Sequence, residues 1–174
     1  MNKFKFFSLL IIFSLLSCSN DDDSNNNTIS FSQAYLSTAG NYSQGFNFEL
    51  FLLDSKRNVD LNQYPAILGT GSLLYIAFLS DSNDLPDAGL YSVITGNSTN
   101  PYDIAWSWYK TAEIDTHETN DTFVITDGTL EISYQNNHMI FNYDINLIST
   151  DTEDTKHISG VYNQQIVITD KQLY

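Results

Sequence analysis

A chain of 174 residues with 21 Asp and Glu against seven Lys and Arg carries a formal charge of −14, which sets it against nucleic acid as a partner. Eleven Phe and eleven Tyr, with three Pro and eight Gly, indicate a packed domain and exclude a low-complexity stalk. A single cysteine, Cys18, excludes an internal disulfide.

The first five residues carry two positive charges, Lys3 and Lys5, and lead into the apolar run Phe6–Leu16. That run is too short to span a bilayer, which needs about 20 such residues, but it suits the h-region of a secretory signal over residues 1–17. Ser17 supplies a small residue before the cut, and Cys18 follows it. Leu15-Leu16-Ser17-Cys18 resembles the lipobox of bacterial lipoproteins, whose cysteine is lipidated and becomes the mature N-terminus. The resemblance implies a lipid anchor, palmitate included, on Cys18; the competing reading is a signal peptide or short core helix that happens to hold a cysteine. One acyl chain, at about 0.8 kcal/mol per buried methylene, holds only marginally, whereas three chains hold permanently.

Residues 18–27 contain three aspartates and four asparagines and nothing to bury, so they read as a disordered tether. After the cysteine, Ser19-Asn20-Asp21-Asp22-Asp23 also resembles the acidic export signal of surface lipoproteins of the Bacteroidota. Surface display on the outer membrane is therefore expected, with a periplasm-facing position as the alternative. From Cys18 onward, five Lys and Arg face 21 Asp and Glu, a formal charge of −16. Residues 28–174 are enough for one domain, which at that size buries roughly 68–70% of its unfolded surface without help from a metal.

Period-two alternation recurs along this domain, and no stretch beyond the signal gives a helical stripe. Phe46, Phe48, Leu50 and Leu52 share one face, and Asp54–Asn58 is turn chemistry. Leu73–Leu79 is a continuous apolar run, the mark of a strand covered on both faces. A loop over Asp81–Gly89 precedes the strand Leu90–Ile94. Tyr102, Ile104, Trp106 and Trp108 then alternate with Asp103, Ala105, Ser107 and Tyr109, and the polar Glu113–Thr122 reads as a long loop. Asp127-Gly128 is a hairpin or turn signal after Phe123-Val124-Ile125. Leu130, Ile132 and Tyr134 alternate up to Asn136-Asn137, which suits a two-residue hairpin with positive φ. The return strand places Met139, Phe141, Tyr143, Ile145 and Leu147 on one face, and Asn142, Asp144 and Asn146 on a wet one. Strands at Ile158–Tyr162 and Ile166–Ile168 follow a charged turn. The sum is an all-β domain of about eight to ten mostly antiparallel strands, a β-sandwich or a small barrel.

Three of these stretches resemble a group of Bacteroidota lipoproteins of uncharacterised function. Leu85-Pro86-Asp87-Ala88-Gly89-Leu90-Tyr91-Ser92-Val93 is similar to their LP-x-G-x-Y-x-V segment, Asp127–Tyr134 to their GTVTVS strand and His157–Tyr162 to their KITGSYTG strand. Val161 and Asn163 depart from the small and hydroxyl residues usual there. The resemblance spans roughly residues 85–166 and implies an all-β secreted lipoprotein domain, with no catalytic residue to carry over.

Signals for chemistry are sparse. His117, His138 and His157 have no HxH or HExxH spacing, so exposed turn histidines explain them better than zinc. Asp81-Ser82-Asn83-Asp84 with Asp87 is oxygen-rich, but it lacks the glycine and closing glutamate of an EF-hand loop. No nucleophile elbow or phosphate loop occurs, and Cys18 is committed to the lipid. Neither catalysis, metal nor cofactor is expected, with a hydrolase as a minor alternative. The candidate ligand-binding residues are Trp106, Trp108 and Tyr109. The two indoles share a face with Ile104 and read either as stacking platforms for sugar rings or as core, and Tyr109 is the exposed candidate on the opposite face. The expected role is binding of a polysaccharide or an envelope protein, or alternatively a structural part in an envelope complex.

Overall fold

Eleven strands carry the alternation: β1 (Gln33–Tyr42), β2 (Gly45–Leu53), β3 (Arg57–Asp60), β4 (Ala66–Gly69), β5 (Gly71–Ser80), β6 (Gly89–Val93), β7 (Asp103–Ala112), β8 (Thr122–Gln135), β9 (His138–Ser149), β10 (Thr155–Tyr162) and β11 (Ile166–Thr169). The computed structural model describes residues 29–42, 45–62, 66–94, 100–112 and 122–170, and none of these is helical. Nine strands form one sheet in the order β10-β9-β8-β6-β7-β5-β2-β1-β11, while β3 and β4 form a separate hairpin. Only β1–β11 and β6–β7 pair in parallel.

The sheet rolls into a small barrel with additional strands around one inner cluster. Leu36, Leu50, Ile76, Tyr91, Ile104, Leu130, Phe141 and Ile158, from eight different strands, all point into that cluster. The two ends of the sheet meet where Phe31 packs edge-on against Tyr143, ring centroids 5.8 Å apart, and where the Tyr162 hydroxyl reaches the backbone of Ala34. Every apolar residue expected on the inner face of β9 is buried, and Asn142, Asp144 and Asn146 are exposed. Asn136 and Asn137 take φ of 51° and 62°, the two positive values that a two-residue turn matched to strand twist requires.

The described residues form eleven strands, of which β1, β3 and β4 were not legible in the sequence: β1 is broken by a bulge between Thr38 and Gly40, and β3 begins inside what reads as a turn. One expectation is corrected. Asp127-Gly128 is no hairpin. It lies within the fourteen-residue β8, where an extra residue between Ile125 and Asp127 makes a bulge against β9. Gly128 has φ of 134°, and a Cβ there would meet the backbone carbonyl of Asp144, so the Asp-Gly signal marks a close strand approach.

Candidate functional site

The outward face of β1, β2, β5 and β7 carries a row of aromatic residues in direct cross-strand register: Tyr35 opposes Phe51, Phe51 opposes Tyr75 and Tyr75 opposes Trp108. Val124 on β8 continues the row beyond Trp108. The Phe51 and Tyr75 rings lie 5.0 Å apart, and Tyr75 and Trp108 stack at 5.2 Å with 22° between their planes. Pairs of this kind are worth about 0.5–1.5 kcal/mol beyond their burial. The Tyr75 hydroxyl donates to Glu49 Oε1 at 3.0 Å, which fixes the ring's outer edge.

One half of this row is roofed. Val59, Leu61 and Ile67 of the β3–β4 segment pack over Phe51, Leu53 and Leu73 and form a second apolar cluster outside the barrel. Arg57, 7% exposed, holds the roof down: its Nε donates to the Gly71 carbonyl at 2.8 Å, and its own carbonyl accepts from Gln33 Nε2 at 2.7 Å. Burial lowers the Arg57 pKa from its ordinary value, and the neighbouring Asp54 carboxylate opposes that shift.

The other half of the row ends at an open groove of about 460 Å³, lined among the described residues by Ala105, Ser107, Trp108, Lys110, Thr122, Val124 and Ile125. Its origin is topological. Asp103 and Ile104 of β7 pair with β6, whereas Trp108, Tyr109 and Lys110 pair with β8, so Ala105–Ser107 lie where one neighbour gives way to the other. At the same place β7 advances three residues, Ile104 to Ser107, while β5 advances two, Phe78 to Ile76. The Lys110 ammonium lies 4.8 Å from the centre of the Trp108 ring, a contact worth about 0.5–1 kcal/mol at an exposed site. Ser107 Oγ is buried and has no hydrogen-bond partner among the described residues.

This bulge corrects the expectation for Tyr109. An extra residue between Ile104 and Ser107 inverts the alternation, so Ile104 and Tyr109 both face the inner core and Trp108 faces outward. Tyr109 is therefore not the exposed candidate: it is 1% exposed, hydrogen-bonds with Ser72 Oγ at 3.0 Å, and packs on Phe123. Burial raises its pKa, with the Ser72 bond opposing. Trp108 is correspondingly not a core partner of Ile104 but a half-buried member of the outer row. Of Trp106 only the backbone, within β7, is described. Cys18 and Ser19, Asn20, Asp21, Asp22 and Asp23 lie outside the described residues, as does His117.

Tyr75 and Lys110 complete the site and were not expected there. Lys110 stands two residues from Trp108, so period two already places it on the same face. Tyr75 is hidden in an apolar run that gives no sign of which face it takes.

The remaining motifs serve the fold. Within Leu85–Val93, the Tyr91 hydroxyl donates to the Asp87 carbonyl at 2.8 Å, and Asp87 Oδ2 accepts from Ser80 Oγ and from the Ser82 amide, each at 3.0 Å. Tyr134 donates its hydroxyl to the Pro86 carbonyl, and the Tyr102 ring lies against Gly89. The oxygen-rich loop is thus spoken for in part by the Asp87 carboxylate's hydrogen bonds. His138 sits exposed beside the Asn136-Asn137 turn, and His157 Nε2 lies 2.7 Å from Asp144 Oδ1 on the wet face.

Compared with known proteins, the chain matches no family model, no curated protein and no solved structure.

Proposed function

We propose that this chain is a lipid-anchored outer-membrane lipoprotein, displayed at the cell surface, whose barrel binds a glycan without catalysis at the Trp108 groove. The anchor rests on Leu15-Leu16-Ser17-Cys18 and the display on Asp21-Asp22-Asp23. The observation that carries the binding role is the Tyr75–Trp108 stack at the rim of an open groove. The described lining offers an indole, two hydroxyls and an ammonium, which is contact chemistry for a hydroxyl-rich ring with an apolar face.

A second reading, an envelope protein as partner, is favoured by one feature. Among the described strands, β11 pairs with β1 alone, and it exposes Val167 and Ile168, the latter by 54%, as a template for an added strand.

Both readings are tested on the full chain in detergent, by thermal shift and tryptophan fluorescence against a panel of polysaccharides. A glycan at about 100 times its Kd should add roughly 2.7 kcal/mol and alter the fluorescence, and Trp108→Ala should abolish both signals. If no polysaccharide shifts the melting temperature, the glycan reading fails and the β11 edge takes its place.

A further inference from the structure

Within the glycan reading, on which this step rests, we infer that the groove selects a sparsely acidic glycan, one with a single carboxylate per repeat, through Lys110. The Tyr75 ring stacks on the Trp108 indole, and the Lys110 ammonium lies over the same indole, with Trp108 and Lys110 both on the groove lining. A sugar that stacks on Trp108 from the groove must move that ammonium aside. A neutral sugar breaks the cation–ring contact and returns nothing for it; a uronic-acid ring offers its carboxylate to the displaced ammonium while its C–H face takes the indole. Lys110 is able to answer, because no carboxylate of the described residues forms an ion pair with its ammonium. Ser107 Oγ, buried on the same groove and unpartnered among the described residues, supplies a hydroxyl for the ring's polar edge.

The charge of the whole chain sets the upper limit on acidity. At a formal −16 from Cys18 onward, a densely sulfated or phosphorylated polymer is repelled, but the field is screened within about 8 Å at physiological salt. One carboxylate beside Lys110 therefore feels mainly Lys110.

The probes are an otherwise neutral oligosaccharide carrying a single galacturonic-acid ring and its methyl ester, which keeps the ring and removes the charge, titrated into the full chain in detergent at low salt. The acid form should bind about tenfold tighter than the ester, the factor expected for a charge-assisted hydrogen bond. Lys110→Gln should bring that ratio near one while ester binding persists, and Lys110→Arg should restore the preference. Equal binding of acid and ester by the unaltered chain overturns the inference and leaves the glycan reading intact. So does a preference that survives in Lys110→Gln. Binding of neither form to any of the three proteins overturns this inference, and absence of binding across the wider panel overturns the glycan reading itself.

Discussion

On β9 the outward side chains Asn142, Asp144 and Asn146 meet water, whereas on β5 and β7 the outward Tyr75 and Trp108 pack against a second apolar cluster, part of which the β3–β4 hairpin covers. All three strands present apolar inner faces to the same barrel core. The difference lies in what covers the outside. A solvated outer face leaves a clean alternation in the strand, and a roofed one fills in the polar positions with Phe51, Leu53, Leu73 and Tyr75. Where the roof stops, the aromatic row runs on to the groove at Trp108.

The sharpest way to break this comparison is to remove one ring from each layer. Phe141→Ala in the inner core and Phe51→Ala beneath the hairpin should each cost about 3–5 kcal/mol in denaturant unfolding, since both rings are buried. A loss below about 1 kcal/mol at Phe51 would reduce the outer cluster to a surface patch. Next in size, Gly128→Ala should cost roughly 1–3 kcal/mol, because the position holds φ of 134° and a Cβ would lie 2.8 Å from the Ile145 Cα.

The inner layer also has a pH signature. Burial pushes the Tyr143 phenol up to about 12 from an ordinary value near 10. Because the folded value is raised, the stability that the neutral phenol contributes is complete below pH 10 and is lost as pH rises through about 12. Melting temperature should therefore fall across that window, and Tyr143→Phe should make the fall shallower; an unchanged slope would remove Tyr143 from the explanation. Smallest of all, Asn142→Ala and Asp144→Asn on the wet face should change stability by about 0.5 kcal/mol or less, the exposed His157–Asp144 pair included. A larger loss at either position would mean that this face is covered after all.

The inner faces were legible residue by residue wherever the strand met water on its other side, as in β9, and the Asn136-Asn137 turn was legible because few residues tolerate two consecutive positive φ values. The Asp127-Gly128 signal was ambiguous for the same reason: glycine marks positive φ, and a bulge needs it as much as a hairpin does. Trp108 was expected on the face of Ile104, and it stands on the other. Period two carries no trace of an extra residue at Ala105–Ser107, since that residue exists only in relation to what β5 places opposite. Tyr109 was misplaced by the same single step.

The sequence by itself determined an all-β domain, the inner layer of its most regular strands and the tight turn between β8 and β9, because alternation and φ preference are properties of neighbouring residues. The tertiary structure alone decided that the sheet closes into a barrel, that a hairpin roofs part of one outer face, and that a bulge in β7 turns Trp108 outward beside a groove. Those outcomes depend on which strands come to lie side by side, and a bulge or a roof costs nothing in the local pattern that would reveal it.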